Sequence, residues 1–266
     1  MDLELRGKVA IVTGGSRGIG KSIARVLAEE GADLALVARR QPPLAVTAEE
    51  IARASGRRVL PIVADTTDDE SVGRMVEQVV TALGRIDILV NCAATPGYLT
   101  GSPKLSAITS ELFHEKMNEK VMGYLRCARA LAPAMIRQGW GRIVNISGLN
   151  ARVAGNAVAS MTNVAVAALT KNLADELGPH GINVTVIHPW TMRTEEWAEV
   201  VANRACIAGT TTEEMERRLI DPVTIGRLVE AREVAYVVAF LVSPKSVAIN
   251  GDAISVGGGY RGPIYY

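Results

Sequence analysis

The sequence predicts an α/β fold: a single doubly wound domain with a seven-stranded, mostly parallel sheet and helices on both faces. Three observations predict it. Seven short β-branched runs alternate with longer helical patterns along the 266 residues. The runs are nearly continuous in apolar residues, as expected of strands buried on both faces. The first run passes directly into a glycine-rich turn and an amphipathic helix. At this length one domain over residues 1–266 is the simplest organisation.

Val9-Ala10-Ile11-Val12 is the first strand, and Ile19, Ile23, Val26 and Leu27 fall on one face of the helix after it. Leu34-Ala35-Leu36-Val37 is the second. Val59-Leu60-Pro61-Ile62-Val63 is the third, and Pro61 removes a ladder donor, which places this strand at a sheet edge. An outermost third strand suits the doubly wound order. Ile86-Asp87-Ile88-Leu89-Val90 and Arg142-Ile143-Val144-Asn145-Ile146 follow. Val166, Leu169, Leu173 and Leu177 then share a helical face before the sixth strand, from Ile182 to Ile187. Ala253-Ile254-Ser255-Val256 is the seventh. Residues 194–226 are charged, Thr-rich and without a strand. They are expected to form a helical flap that covers a substrate pocket; the alternative is a surface excursion with no part in binding. Neither an internal repeat nor a low-complexity linker is evident.

With 29 Lys and Arg against 28 Asp and Glu, the net charge of +1 argues against a nucleic-acid or acidic-membrane partner. Cys92, Cys127 and Cys206 have neither metal-like nor paired spacing, and Cys92 and Cys127 read as buried thiols, with a disulfide the lesser alternative. The opening MDLELRGK lacks the apolar stretch of a signal peptide. The longest apolar run, Val234 to Val242, covers nine residues, where about 20 are needed to span a bilayer. A cytoplasmic location is expected.

The turn reads Thr13-Gly14-Gly15-Ser16-Arg17-Gly18-Ile19-Gly20. A strand, a glycine turn and a helix N-terminus together aim backbone N–H groups at a pyrophosphate. Gly14 permits the tight turn, Gly18 the approach of phosphate and Gly20 close helix–strand packing. Gly14, Ser16, Arg17, Gly18, Ile19 and Gly20 are therefore the expected loop contacts of a dinucleotide. The second strand ends Val37-Ala38-Arg39-Arg40, with Ala38 at about the position where an acid would bind a ribose 2′-hydroxyl. Arg39, with Arg17, suits a 2′-phosphate instead, so NADP(H) is expected over NAD(H). The alternative is that Arg39 and Arg40 are solvated residues at a strand exit.

From about Gly7 to Gly259 these segments resemble the short-chain dehydrogenase/reductase family. Thr13-Gly14-x-x-x-Gly18-x-Gly20 matches its cofactor loop, and Ala64-Asp65-Thr66 its adenine-contacting segment. Asn91-Cys92-Ala93-Ala94 resembles its Asn-Asn-Ala-Gly stretch. His188-Pro189-Trp190-Thr191-Met192-Arg193-Thr194 resembles its Pro-Gly-x-x-x-Thr loop, with Trp190 in place of Gly. Leu173-Ala174-Asp175-Glu176-Leu177-Gly178-Pro179 and Ser255-Val256-Gly257-Gly258-Gly259 match later segments. The resemblance implies a Rossmann-type nicotinamide site with Asp65, Thr66, Asn91, Ala93 and Thr194 as further cofactor contacts.

It also implies an Asn–Ser–Tyr–Lys catalytic set, and here the sequence departs from the pattern. Without gaps, the Tyr position falls on Ala159, Lys on Asn163, Ser on Gly148 beside Ser147, and Asn on Lys120. Lys120 and Asn163 look exchanged. Lys120 is then the expected source of positive charge and of a proton, Asn163 a partner for ribose hydroxyls, and Ser147 an orienting hydroxyl; chance substitution is the alternative. Tyr98, Tyr124, Tyr265 and Tyr266 are weaker stand-ins for the phenol, His188 for an acid or base, and Arg152 for an anion contact. Three functions are open: an NADP(H)-dependent oxidoreductase of a small carbonyl or alcohol with an atypical site, a catalytically silent NADP(H)-binding relative, and a non-redox enzyme. By resemblance a homo-oligomer is expected, a dimer or tetramer built on the helices starting near Glu111 and Ala159.

Overall fold

The computed structural model describes residues 1–95 and 103–264. Among these, seven strands form one sheet: β1 (Val9–Thr13), β2 (Asp33–Ala38), β3 (Val59–Val63), β4 (Ile88–Asn91), β5 (Gly141–Ile146), β6 (Ile182–Pro189) and, late in the chain, β9 (Ala253–Val256). They are ordered β3-β2-β1-β4-β5-β6-β9, with every neighbouring pair parallel. The chain thus moves outward on one side of β1 and then on the other. The switch lies between β1 and β4, where open α/β sheets bind ligands beyond their carboxyl ends. Pro61 sits on edge strand β3, opposite Leu36, where its missing N–H disrupts no second neighbour.

Helices cover both faces. α1 (Gly18–Glu29) buries Ile23, Val26 and Leu27, and packs against α9 (Ala231–Leu241). α2 (Gln41–Ser55) covers the same face, burying Leu44 and Ile51. On the opposite face, α3 (Asp69–Leu83) buries Val72, Met75 and Val79 in a cluster shared with Cys127, Leu131 and Met135 of α5 (Gly123–Gln138). The side chain of Asp68 caps α3 by accepting from the Glu70 and Ser71 amides. α6 (Ala157–Leu177) buries Val166, Ala174 and Leu177, and Leu169 and Leu173 pack partly buried at its side.

α4 (Ser110–Lys116) runs into α5 through a π-helical turn, Met117–Met122. Such wide turns often mark functional sites, and this one carries Lys120. Residues 194–226 hold α7 (Trp197–Ala208) and α8 (Thr212–Ile220). A feature the sequence did not reveal brackets them. β7 (Met192–Arg193) and β8 (Val229–Glu230) pair in parallel as a separate two-stranded ladder, so both ends of the segment are held side by side. No described helix is long and apolar enough to cross a membrane.

Candidate active site

The glycine loop is built from contacts that only glycine permits. Gly14 has φ +68°, and a β-carbon there would stand 3.0 Å from the Cys92 carbonyl oxygen. A β-carbon on Gly20 would lie 2.2 Å from the Gly14 carbonyl oxygen, so the turn and α1 close on one another only without a side chain. Thr13 fixes the loop to the end of β4: its Oγ1 accepts from the amides of Cys92 and Ala93 at 3.0 and 3.1 Å. Thr47 clamps the far side by donating to the Ser16 carbonyl at 2.9 Å. Ile19, in the first turn of α1, is half-buried against the core.

Two donors of this loop are met by carboxylates from the chain itself. The Gly18 amide donates to Glu195 Oε1 at 2.8 Å, and Arg17 Nη1 donates to Glu196 Oε1 at 2.9 Å. Both acids directly follow Thr194, whose methyl would be 3.9 Å from a β-carbon on Gly18. A carboxylate on the first amide of α1 stands in for a phosphate oxygen and shows that the loop accepts an anion. The donor set therefore fits a dinucleotide diphosphate.

Arg39, at the exit of β2, is exposed, and Asp65 follows β3 close by. Burial raises the Asp65 pKa, but the Thr67 amide and hydroxyl, Arg39 and Arg126 outweigh it, and the carboxyl is held below its usual value. Its Oδ1 accepts from Thr67 N at 2.9 Å and Thr67 Oγ1 at 2.8 Å. Thr66 is buried under the start of α5, where a β-carbon on Gly123 would meet Thr66 Oγ1 at 3.2 Å.

Asn91 is fully buried and faces inward, donating to Asn145 Oδ1 at 2.9 Å while Asn145 donates to Thr170 Oγ1 at 2.9 Å. That chain ties β4, β5 and α6 together beneath the site. The Asn91 side chain therefore braces the strand ends. Cys92 and Cys127 are free thiols, both pushed up to about 12 by burial, so they are neutral packing groups.

Lys120, Ser147 and Asn163, which lie far apart in the sequence, converge. Lys120 Nζ donates to Asn163 Oδ1 at 2.8 Å and to the Ser147 carbonyl at 3.0 Å. Burial lowers the Lys120 pKa to about 8, against the smaller raising effect of Glu119. Asn163 is buried at 5% exposure. Its amide nitrogen would be 2.8 Å from a β-carbon on Gly148, so the missing side chain at Gly148 makes the room that Asn163 fills. Gly148 has φ −179°, so the requirement is for space rather than for an unusual backbone. Ser147 is differently placed from the expectation of an orienting hydroxyl: its Oγ donates inward to the Asn163 carbonyl at 3.1 Å.

The weaker candidates sort by geometry. Tyr124 is buried and donates its hydroxyl to the Ile146 carbonyl at 2.8 Å, and burial raises its pKa, so it is a packing residue. Tyr98, Tyr265 and Tyr266 lie outside the described residues. His188 is 1% exposed, and burial, then Arg152 and Lys120, lower its pKa to about 4; it is neutral at ordinary pH. The ring of Trp190 packs against Tyr260 at 4.3 Å, and its β-carbon lies close to Gly257. No cluster of potential metal ligands occurs among the described residues.

The fold and this site define a class, and comparison with known proteins agrees. The family model described as enoyl-(acyl carrier protein) reductase matches residues 14–261. The chain belongs to the short-chain dehydrogenase/reductase family, whose members bind a nicotinamide cofactor. It is 31% identical to the 3-oxoacyl-(acyl-carrier-protein) reductase FabG of Aquifex aeolicus, covering 97% of this chain and 99% of the relative. The L-sorbose reductase of Gluconobacter frateurii, complexed with NADPH and L-sorbose, superposes with a TM-score of 0.92 at 30% identity, over 99% of this chain and 100% of that one. NAD+-bound xylitol dehydrogenase superposes with a TM-score of 0.88 at 29% identity, over 96% and 100% of the two chains. This chain is thus an oxidoreductase of the short-chain type.

Sequence reasoning missed three features of the site. The π turn presenting Lys120 leaves no periodic signal, and the dependence of Asn163 on Gly148 is visible only in space. The contacts of Glu195 and Glu196 are the third, and the signal for them was two carboxylates directly after Thr194, a residue expected at the cofactor.

Proposed function

We propose that this protein is an NADP(H)-dependent oxidoreductase of a small carbonyl or alcohol, in which Lys120 carries the exchanged proton. The observation that carries the reading is the Lys120 ammonium held by Asn163 and the Ser147 carbonyl, with its pKa lowered to about 8. Enzymes tune a proton-transfer group toward the working pH in this way. When bound, the nicotinamide supplies or takes up hydride. The amides around Gly14, Ser16, Gly18, Ile19 and Gly20 hold the diphosphate, and Arg17 and Arg39 hold the 2′-phosphate. Asp65 and Thr66 border the adenine, Ala93 and Thr194 border the nicotinamide side, and Asn91 braces the strand ends. Asn163 is a positioning residue that holds Lys120, and residues 194–226 cover the substrate. A homo-oligomer, a dimer or a tetramer, is included in the reading.

The pH dependence has a defined sign. Reduction needs the ammonium, so its rate is highest below about 8 and falls above it. Oxidation needs the free amine and rises through the same range. Lys120→Met should lower turnover by roughly 10²- to 10⁴-fold and abolish the break near 8, with little change in cofactor affinity. Unchanged turnover and an unchanged profile would rule Lys120 out.

A second reading, a catalytically silent NADP(H)-binding relative, is favoured by the inward hydroxyls of Ser147 and Tyr124. Saturable cofactor binding with no absorbance change at the reduced-nicotinamide band, across ketones, alcohols and enones, would decide for it.

A further inference from the structure

Glu195 and Glu196 stand where the phosphates of a dinucleotide would be held. Glu195 takes the Gly18 amide at 2.8 Å, and Glu196 takes Arg17 at 2.9 Å. An N–H that donates to a carboxylate is not available to a phosphate, and a guanidinium paired at this distance has to be shared or surrendered. The chain and its cofactor therefore compete for the same donors. The two competitions are not equivalent. Every pyridine dinucleotide carries the diphosphate that needs the Gly18 amide, whereas only the phosphorylated form has a 2′-phosphate to take up Arg17.

We propose that Glu195 and Glu196 are specificity-determining residues of the nucleotide site: Glu195 weakens binding of both cofactor forms alike, while Glu196 selectively weakens the 2′-phosphorylated form. This rests on the nucleotide reading above and adds the control of that site by the flap. Both acids belong to the first residues after β7, so yielding the loop to a cofactor withdraws the start of the flap from it. The contacts are solvent-facing: Glu195 is exposed and the Glu196 side chain is 27% exposed. Each competition is therefore worth about three- to tenfold in affinity rather than orders of magnitude.

Calorimetric titration of NAD+ and of NADP+ into the wild type, Glu195→Gln and Glu196→Gln tests the assignment, with the melting temperature of each free variant confirming the fold. Glu195→Gln should tighten both nucleotides by the same factor, and Glu196→Gln should tighten NADP+ alone. A wild type that binds, with both variants unchanged or with Glu196→Gln acting equally on the two nucleotides, overturns this proposal and leaves the nucleotide reading intact. Absence of binding in all three proteins removes the nucleotide reading and this proposal together.

Discussion

Around Lys120, three residues act as a unit. Gly148→Ala places a methyl 2.8 Å from the Asn163 amide, so the amide shifts and its hold on the ammonium is lost. Losing an acceptor disfavours the charged form. The break near 8 proposed for the pH–rate profile should therefore move to lower pH, while the melting temperature changes little. Asn163→Lys alone would add a second ammonium against Lys120 and depress both, so the family arrangement is not recovered by single reversions. A double-mutant cycle between Lys120 and Asn163 should give strongly non-additive turnover. His188 gives a prediction on stability. Its folded pKa is lowered from 6.5 to about 4, chiefly by burial. The unfolded chain takes up the proton first as pH falls, so the stability present above 6.5 is lost progressively toward 4. This one group accounts for on the order of 3 kcal/mol over that window. Urea midpoints at pH 7 and pH 4.5 should converge in His188→Gln relative to the wild type.

Elements differ in how much of them the sequence displays. All seven strands of the main sheet are legible because parallel strands buried on both faces are continuous apolar runs, and Pro61 alone assigns an edge. The start of β4 is less legible. Ile86-Asp87 continues the apolar run in sequence, yet the strand is bounded at Ile88, although the Asp87 backbone still bonds Val9 and Arg142 on either side. The buried Asp87 carboxylate accepts from the Val9 amide at 2.9 Å and from Arg85 at 2.6 and 2.8 Å, pinning β1 to the turn before β4. Asp87→Ala leaves the buried Val9 amide unpaired while the half-exposed Arg85 turns to solvent, and should cost about 1–3 kcal/mol, measured by urea unfolding. The β7–β8 ladder was not legible, since two residues carry no period. The nucleotide loop shows in sequence because its demand for glycine is local, at Gly14 and Gly20. The inward turn of Ser147 and the burial of Asn91 do not, because both depend on which neighbour a side chain meets across the sheet.

For the molecule as a whole, the proposed homo-oligomer has a surface to match it. Met161 and Val164 on α6 are 46% and 51% exposed, and Met122, just before α5, is 38% exposed. Val164→Glu should shift the sedimentation velocity profile toward the monomer while the circular dichroism stays unchanged. A second consequence follows from the β7–β8 ladder. A long excursion ordinarily enters and leaves a fold at unrelated places, so altering it strains both. Here Arg193 and Glu230 are partners across one short ladder, and the chain between them returns to where it departed. The segment also touches the body through Glu195 and Glu196 at the glycine loop and through 223–225 against 258–260, but between those contacts closing a longer loop costs little more, about 0.6 kcal/mol for each doubling of length. The stretch between those contacts is in effect a cassette: a graft over residues 197–221 from another member of the family, longer or shorter, should leave the sheet and its melting behaviour nearly as they were, while changing substrate range if the proposed cover is right.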